Sequence, residues 1–454
     1  MSKRSQSYIR SFEKYILKVF GLRHFLAFLK DNRKAPDIGI QNIFMAYFWG
    51  SVLRMKATST IEEETRNGVL RKRVVDISDD TIGYGLDHLD VESIQKMWYM
   101  LAMRAKRNGM LRNSPFHDYI VGVFDGIETY SSYSAHRNCD RCLSRVVETN
   151  RGKKIQYYHR VVVLTLVGYD SPIPIGLEMM KKGEDEVYCA LRLLKRVVKN
   201  LGVRFLDIVM CDALYCTPNF FSECRKLNVH AGAVLKENQE NLLESARSQK
   251  KKTEPVLQSK TNKEKLKLWD FGEVFWDTAD QDVRVIWADR EVLEKERPGK
   301  KGKKKKKKKK KGKMRAKGKK IKKIEAKEGK NKNQSLHPQW NWENKKRVFV
   351  FSKKMDHLPS QVLYRIGQHR WDIDAIIFMD MVKHWHLKHK TLHFENAYEN
   401  MLSIRLIAYF IFMFFFYRHI NSRRKNKIKS YTQMAIMIYR SACTNLEPEL
   451  ILIE

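Results

Sequence analysis

The chain has 454 residues, 43% apolar and 11% aromatic, enough for a sizeable core and more than one domain, so it is a globular protein with attachments. Formal net charge is +37; a tract from Lys300 to Lys332, holding 21 basic and two acidic residues, supplies +19 of it, and the rest still carries +18. Such a basic excess fits a polyanionic partner, either nucleic acid or an anionic membrane surface, and says nothing of fold.

At the N-terminus, "MSKRSQSYIRSFEKYILKVF", Glu13, Lys14 and Lys18 break up any secretory h-region, so no export is implied. The seven cysteines (139, 142, 189, 211, 216, 224, 443) are odd in number and scattered, which suits a reducing cytoplasm. Residues 1–112 read as a mainly helical region. Two helix starts stand out: Ser78 before Asp79 and Asp80, and Asp90 before Val91 and Glu92, with Gly109 as a stop. The pair is either a DNA-reading helix-turn-helix or a plain helical hairpin, since nothing in the spacing specifies groove contacts.

From residue 115 the pattern turns to strands. "DYIVGVFDG" ends a strand at Asp125, "YYHRVVVLTLVGY" is a long second strand and "PIPIGLEM" a third. A helix follows from Glu184 to Leu201, then a strand to Cys211, a helix capped by Thr217 with Pro218 at its first position, and a strand near Val234. The order β-β-β-α-β-α-β implies a mixed sheet covered by helices, filling 113–236. Residues 237–345 are a β-rich insertion ending in a lysine tract, about 297–335, which cannot form a core and is expected to be disordered. That tract is either an electrostatic phosphate attractor or a loop expansion without a specific role. Residues 346–420 resume the ordered α/β domain, and 421–454 form a basic tail. The run "LIAYFIFMFFFY", 406–417, bracketed by Arg405 and Arg418, is shorter than the roughly 20 residues of a membrane span and reads as a buried helix.

"QHRWDIDAIIFMDMVKHW", 368–385, reads as a helix with Ile377, Phe378, Met381, Val382 and Trp385 on one stripe. Asp374 falls in that stripe, whereas Asp372 and Asp380 project to the other side. A carboxylate on a buried face needs an ion, a donor or a proton. Asp125 and Asp212 each follow a buried-looking run at the carboxyl end of a strand, where α/β sheets place their sites. Together with Asp374 they offer the hard oxygens that suit Mg²⁺ or Mn²⁺. The alternative partner for Asp374 is Arg370, one turn away.

"DGIETYSS" with "HRNCDRCLSR", "CDALYCTPNFF", "AVLKEN" and "HRWDIDAIIFMDMVKHWHLKH" resemble the catalytic domain of bacterial insertion-sequence DDE transposases of the insertion-sequence-four superfamily. The resemblance covers roughly residues 75–420 outside the lysine tract. It implies an RNase H-like α/β fold with flanking helices and a metal-dependent DNA transposase that hydrolyses phosphodiesters and transfers strands. Asp125, Asp212 and position 374 then hold Mg²⁺ or Mn²⁺. The implied partners are double-stranded DNA, as terminal inverted repeats and target, and a second copy of the chain. No membrane association is expected, and the implied location is the cytoplasm, on the bacterial nucleoid.

The third acid of the pattern is normally Glu, and this chain has Asp374, shorter by one methylene. The pattern also has Tyr, Arg and Lys near that acid. Arg370 keeps its place as a phosphate contact; Gly367 stands in the Tyr slot with Tyr364 nearby, and Met381 in the Lys slot with Lys383 nearby. His386, with His389 and His393 on the same helical face and His384 beside them, is assigned to lining the DNA cleft or to packing rather than to a second metal site. His136, Cys139 and Cys142 are possible zinc ligands, although one CxxC is a poor zinc signal. Glu128 reads as an ordinary loop acid. Two rival readings remain: an inactive or repurposed transposase that only binds DNA, and a related nuclease without strand transfer.

Overall fold

In this computed structural model the described residues are 7–112, 114–134, 139, 141–295, 340–389, 392, 395–422 and 430–444. The helical N-terminal region comprises α1 (Tyr8–Lys14), α2 (Leu22–Leu26), α3 (Ile40–Val52), α4 (Thr58–Arg66), α5 (Asp79–His88) and α6 (Val91–Arg107). The two cap signals act as expected: Ser78 Oγ accepts from the Thr81 N–H, and Asp90 Oδ2 from the Ser93 N–H at 2.8 Å. α5 and α6 do not pack on each other: α5 lies on α3 and α4, and α6 packs on the central sheet and its first covering helix, with Met97, Trp98 and Leu101 fully buried.

The sheet begins with β1 (Val121–Ser132), β2 (Leu143–Thr149), β3 (Gly152–Val167) and β4 (Ile173–Met179). After α7 (Glu186–Leu201) come β5 (Ile208–Cys211), α8 (Pro218–Lys226) and β6 (His230–Val234). Thr217 caps α8 through the Phe220 N–H, with Pro218 at the first position. β3 pairs antiparallel with both β1 and β4, while β1, β5 and β6 are mutually parallel. The resulting order, β4-β3-β1-β5-β6, with α7 and α8 as crossovers, is an RNase H-like α/β core.

Two details differ from the sequence reading. β1 does not end at Asp125 but continues to Ser132, because its second half pairs with β3. β2 is an additional strand, largely exposed at the sheet edge, so no buried alternation marks it.

α9 (Glu240–Lys252) leads into β7 (Leu257–Lys260), β8 (Glu264–Trp276), β9 (Gln281–Lys295) and β10 (Trp340–Ser352). These strands do not form a separate unit: β10 pairs with β6, Phe349 opposite Val234, and extends one ten-stranded sheet. A boundary at residue 346 therefore cuts through a continuous strand. The lysine tract, 297–335, lies outside the described residues.

The chain continues through α10 (Ser360–His369), a π-helical turn Ile373–Phe378, α11 (Met379–His384) and α12 (Glu395–Phe414), whose π-helical extension runs to Ile420. The helix Asn396–Ile420, 25 residues, is longer than its most apolar run and is long and apolar enough to cross a membrane. It is instead a core helix, 94% buried over its apolar window, and packs against α3, α5, α6 and β4. Of the two arginines that bracket the run, Arg405 is itself buried and donates to the His386 carbonyl at 2.8 Å and to the Tyr47 hydroxyl. Part of the expected tail also folds: α13 (Tyr431–Thr444) buries Met434, Ile438 and Ala442 and lies against α1, where the Ile9 N–H donates to Ser441 Oγ at 2.8 Å.

Candidate active site

Three separate segments bring Asp125, Asp212 and Asp374 around one guanidinium. Asp125 sits on β1 just past the stretch paired with β5, Asp212 directly follows β5, and Asp374 lies in the π-helical turn after α10. Arg370, 5% exposed, closes α10 and points between them. Its Nη1 donates to Asp374 Oδ2 at 2.8 Å, and its Nη2 lies 3.1 Å from Asp125 Oδ2 and 3.4 Å from Asp212 Oδ2. The Nε has no partner among the described residues.

The three carboxylates are not equivalent. Burial pushes the Asp125 carboxyl up to about 7; Arg370 opposes this, while Asp374, hydrogen-bonded to it, reinforces it. Asp212 is half-exposed, and its carboxyl is held below the usual range: burial raises it, but the Ala213 N–H, Arg370 and Lys236 together outweigh that. Lys236 Nζ lies 3.2 Å from Asp212 Oδ1. The Asn238 amide donates to the Ala213 carbonyl at 2.8 Å and the Gln239 amide to the Cys216 carbonyl at 3.0 Å, so the segment after β6 clamps the loop that carries Asp212. This role for Lys236 was not read from the sequence, although "AVLKEN" contains it.

A buried network supports Asp125 from behind. Glu186, at the start of α7, accepts from the Tyr215 hydroxyl at 3.0 Å and from Arg160 Nε at 2.7 Å. Gly126 leaves the room this needs, because a Cβ there would collide with the Glu186 carboxylate. Gly367 is explained the same way: a Cβ would come within 2.7 Å of the Phe349 ring, so a tyrosine cannot occupy that slot. Tyr364, one turn earlier, packs on the same ring at 6.4 Å.

The helical phase differs from expectation. Asp374 is 48% exposed on its side chain rather than buried, and Asp380 is the buried carboxylate, receiving a hydrogen bond from the Tyr431 hydroxyl. A π turn adds about one residue per turn, which rotates everything beyond it by about 100°. That rotation turns Asp374 toward the sheet acids at the solvent edge and Asp380 inward, where burial raises its carboxyl.

Other assigned residues fall elsewhere. Met381 is fully buried; Lys383 is exposed, and its charge acts on Asp380. His386 is not on a helical face: α11 stops at His384, His386 takes a left-handed φ of 55°, and its Nε2 lies 3.1 Å from the Arg54 carbonyl. His384 lies edge-on to the Tyr431 ring, and His136 and His393 lie outside the described residues. Glu128 is on β1 and pairs with both terminal nitrogens of Arg145 at 2.7 and 2.8 Å.

The donor set fits a hard divalent cation. Three carboxylates meet where a positive charge is already held, and at least one of them has to take up a proton or gain a cation to be comfortable there. No family model and no curated protein matches the chain. Among solved structures, it is similar over 98% of its length, and 81% of the other chain, to a chain in the cryo-EM structure of a piggyBac transposase synaptic complex with hairpin DNA, with 9% identity and a TM-score of 0.42.

Proposed function

We propose that this chain is a DNA transposase of the insertion-sequence type, cutting and joining strands at element ends. The observation that carries this reading is the convergence of Asp125 and Asp212, at two strands of an RNase H-like sheet, and Asp374, from a helical turn beside it, on a single cation position. Mg²⁺ or Mn²⁺ held by those carboxylates would supply Lewis-acid stabilisation of an in-line displacement at a phosphodiester and an activated water or 3′-hydroxyl. Arg370 keeps the carboxylates together when they carry no metal ion; once freed, its planar fork suits a DNA phosphate. Lys236 keeps Asp212 ionised, and exposed Lys383 offers a further phosphate contact. The basic body draws in duplex DNA, and bringing two element ends together calls for a homodimer in the cytoplasm, on the nucleoid.

One observation favours a second reading. Arg370 already holds a positive charge among the three carboxylates, which suits a chain that keeps the fold and binds DNA without cutting it. Incubating the chain with labelled DNA bearing the element's ends, a target plasmid and Mg²⁺ separates the possibilities. Joined products support transposition, nicks without joining indicate a nuclease, and salt-sensitive binding without nicking indicates a DNA-binding remnant.

A further inference from the structure

Away from the three acids, Cys139, Cys142 and His159 form a compact cluster. The cysteines flank the short turn between β1 and β2, and His159 comes from β3, opposite Tyr130. Cys139 Sγ lies 3.3 Å and Cys142 Sγ 3.1 Å from the same atom, His159 Nε2. All three residues are buried, at 4%, 5% and 2% exposure, and their ligand atoms lie within 4.8 Å of one another.

An imidazole nitrogen carries one hydrogen or one lone pair, so it can satisfy a single thiol. Two sulfurs aimed at one Nε2 call for a shared positive centre. With Zn–S near 2.3 Å and Zn–N near 2.0 Å, a tetrahedral ion separates sulfur and nitrogen by roughly 3.5 Å, close to the spacing here. Two thiolates and an imidazole are the soft and borderline ligands that select zinc over magnesium. The turn has the compact form of a metal knuckle, with the Cys142 N–H donating to the Cys139 carbonyl at 3.4 Å.

We infer that Cys139, Cys142 and His159 bind a structural Zn²⁺ ion, distinct from the carboxylate site. The sequence offers the CxxC but the wrong histidine, since the strand pairing of β1 with β3 brings in His159 from a position 17 residues beyond Cys142. The ion's consequence reaches the helical region. Arg141, between the two cysteines, pairs with Glu399 on α12, and Glu399 also accepts from the Gln95 amide of α6 at 3.1 Å. The Tyr398 ring packs edge-on against His159 at 4.9 Å. The ion thus ties the chain at Cys139 and Cys142 to β3 and, through Arg141, docks the sheet on the helices.

The test is metal analysis of the full chain, purified without a polyhistidine tag or chelator, and of two variants. Wild type and Asp125→Ala are expected to carry about one zinc per chain, and Cys142→Ser less than about a tenth of that. If Cys142→Ser does not fold, Co²⁺ exchanged into wild type decides, by the intense thiolate-to-cobalt absorption expected of a tetrahedral site. Wild type that holds no zinc and gives no such absorption with Co²⁺, or Cys142→Ser that retains the full zinc content, would overturn the assignment.

Discussion

Arg370 and Asp374, four residues apart across the junction of α10 and a π turn, are joined at 2.8 Å, and the same guanidinium reaches two sheet carboxylates. Its removal leaves buried negative charge uncompensated. Arg370→Gln is expected to lower the metal-free protein's stability by about 3–5 kcal/mol in denaturant titration, and millimolar Mg²⁺ is expected to restore part of the loss. An unchanged midpoint without metal would show that the pairs carry no weight.

The third acid separates an active enzyme from a decayed one. Asp374→Ala is expected to lower Mg²⁺-dependent nicking at least about 100-fold, the scale for losing one fixed charge contact in an active site. Nicking by Asp374→Glu alone, with none from wild type, would instead mark the chain as a remnant whose third ligand is too short.

Lys236 acts on charge rather than on folding. It is more than half exposed, so Lys236→Ala should change stability by less than about 1 kcal/mol. The Asp212 carboxyl, now held low in part by Lys236, is expected to move upward, which NMR titration of the side-chain carboxyl carbons would detect.

His386 gives the fold a pH dependence. Burial lowers its pKa, and Arg405, Lys56 and Arg54 lower it further; the hydrogen bond to the Arg54 carbonyl opposes them. The neutral ring is therefore favoured in the folded state. As pH falls below the unfolded value, about 6.5, the unfolded chain takes up a proton before the folded chain does, so stability drops toward the lowered folded pKa. His386→Gln should flatten that part of the stability curve, as read from thermal unfolding between about pH 5 and 7. An identical slope in the variant would contradict the assignment.

Gly367→Ala tests the packing at the signature helix. Its new methyl would crowd the Phe349 ring, and a cost of about 1–3 kcal/mol is expected from overpacking. A stability equal to wild type would mean that the ring has room to move.

The central strands, the helices from Ser78 and Asp90, and the α8 cap at Thr217 were legible because each is written locally, as an apolar run or a capping side chain. Asp125 and Asp212 were legible for the same reason, at the ends of such runs. What the sequence concealed depends on partners distant in the chain. β2 is an exposed edge strand without apolar alternation, and α9 is dominated by charged and polar residues. Asp374 and Asp380 exchanged faces because a π turn has no obvious residue signature, and a 3.6-residue period extrapolated through it goes out of phase. His159 and Lys236 gain their roles only from strand pairing and loop packing.

The most direct test is nicking of labelled DNA carrying the element's ends, with and without Mg²⁺, by wild type and Asp125→Ala. Metal-dependent nicking by wild type that Asp125→Ala abolishes is the expected result. Nicking that persists in Asp125→Ala, or sequence-specific binding with no nicking at any Mg²⁺ or Mn²⁺ concentration, would contradict a catalytic role for the three carboxylates around Arg370.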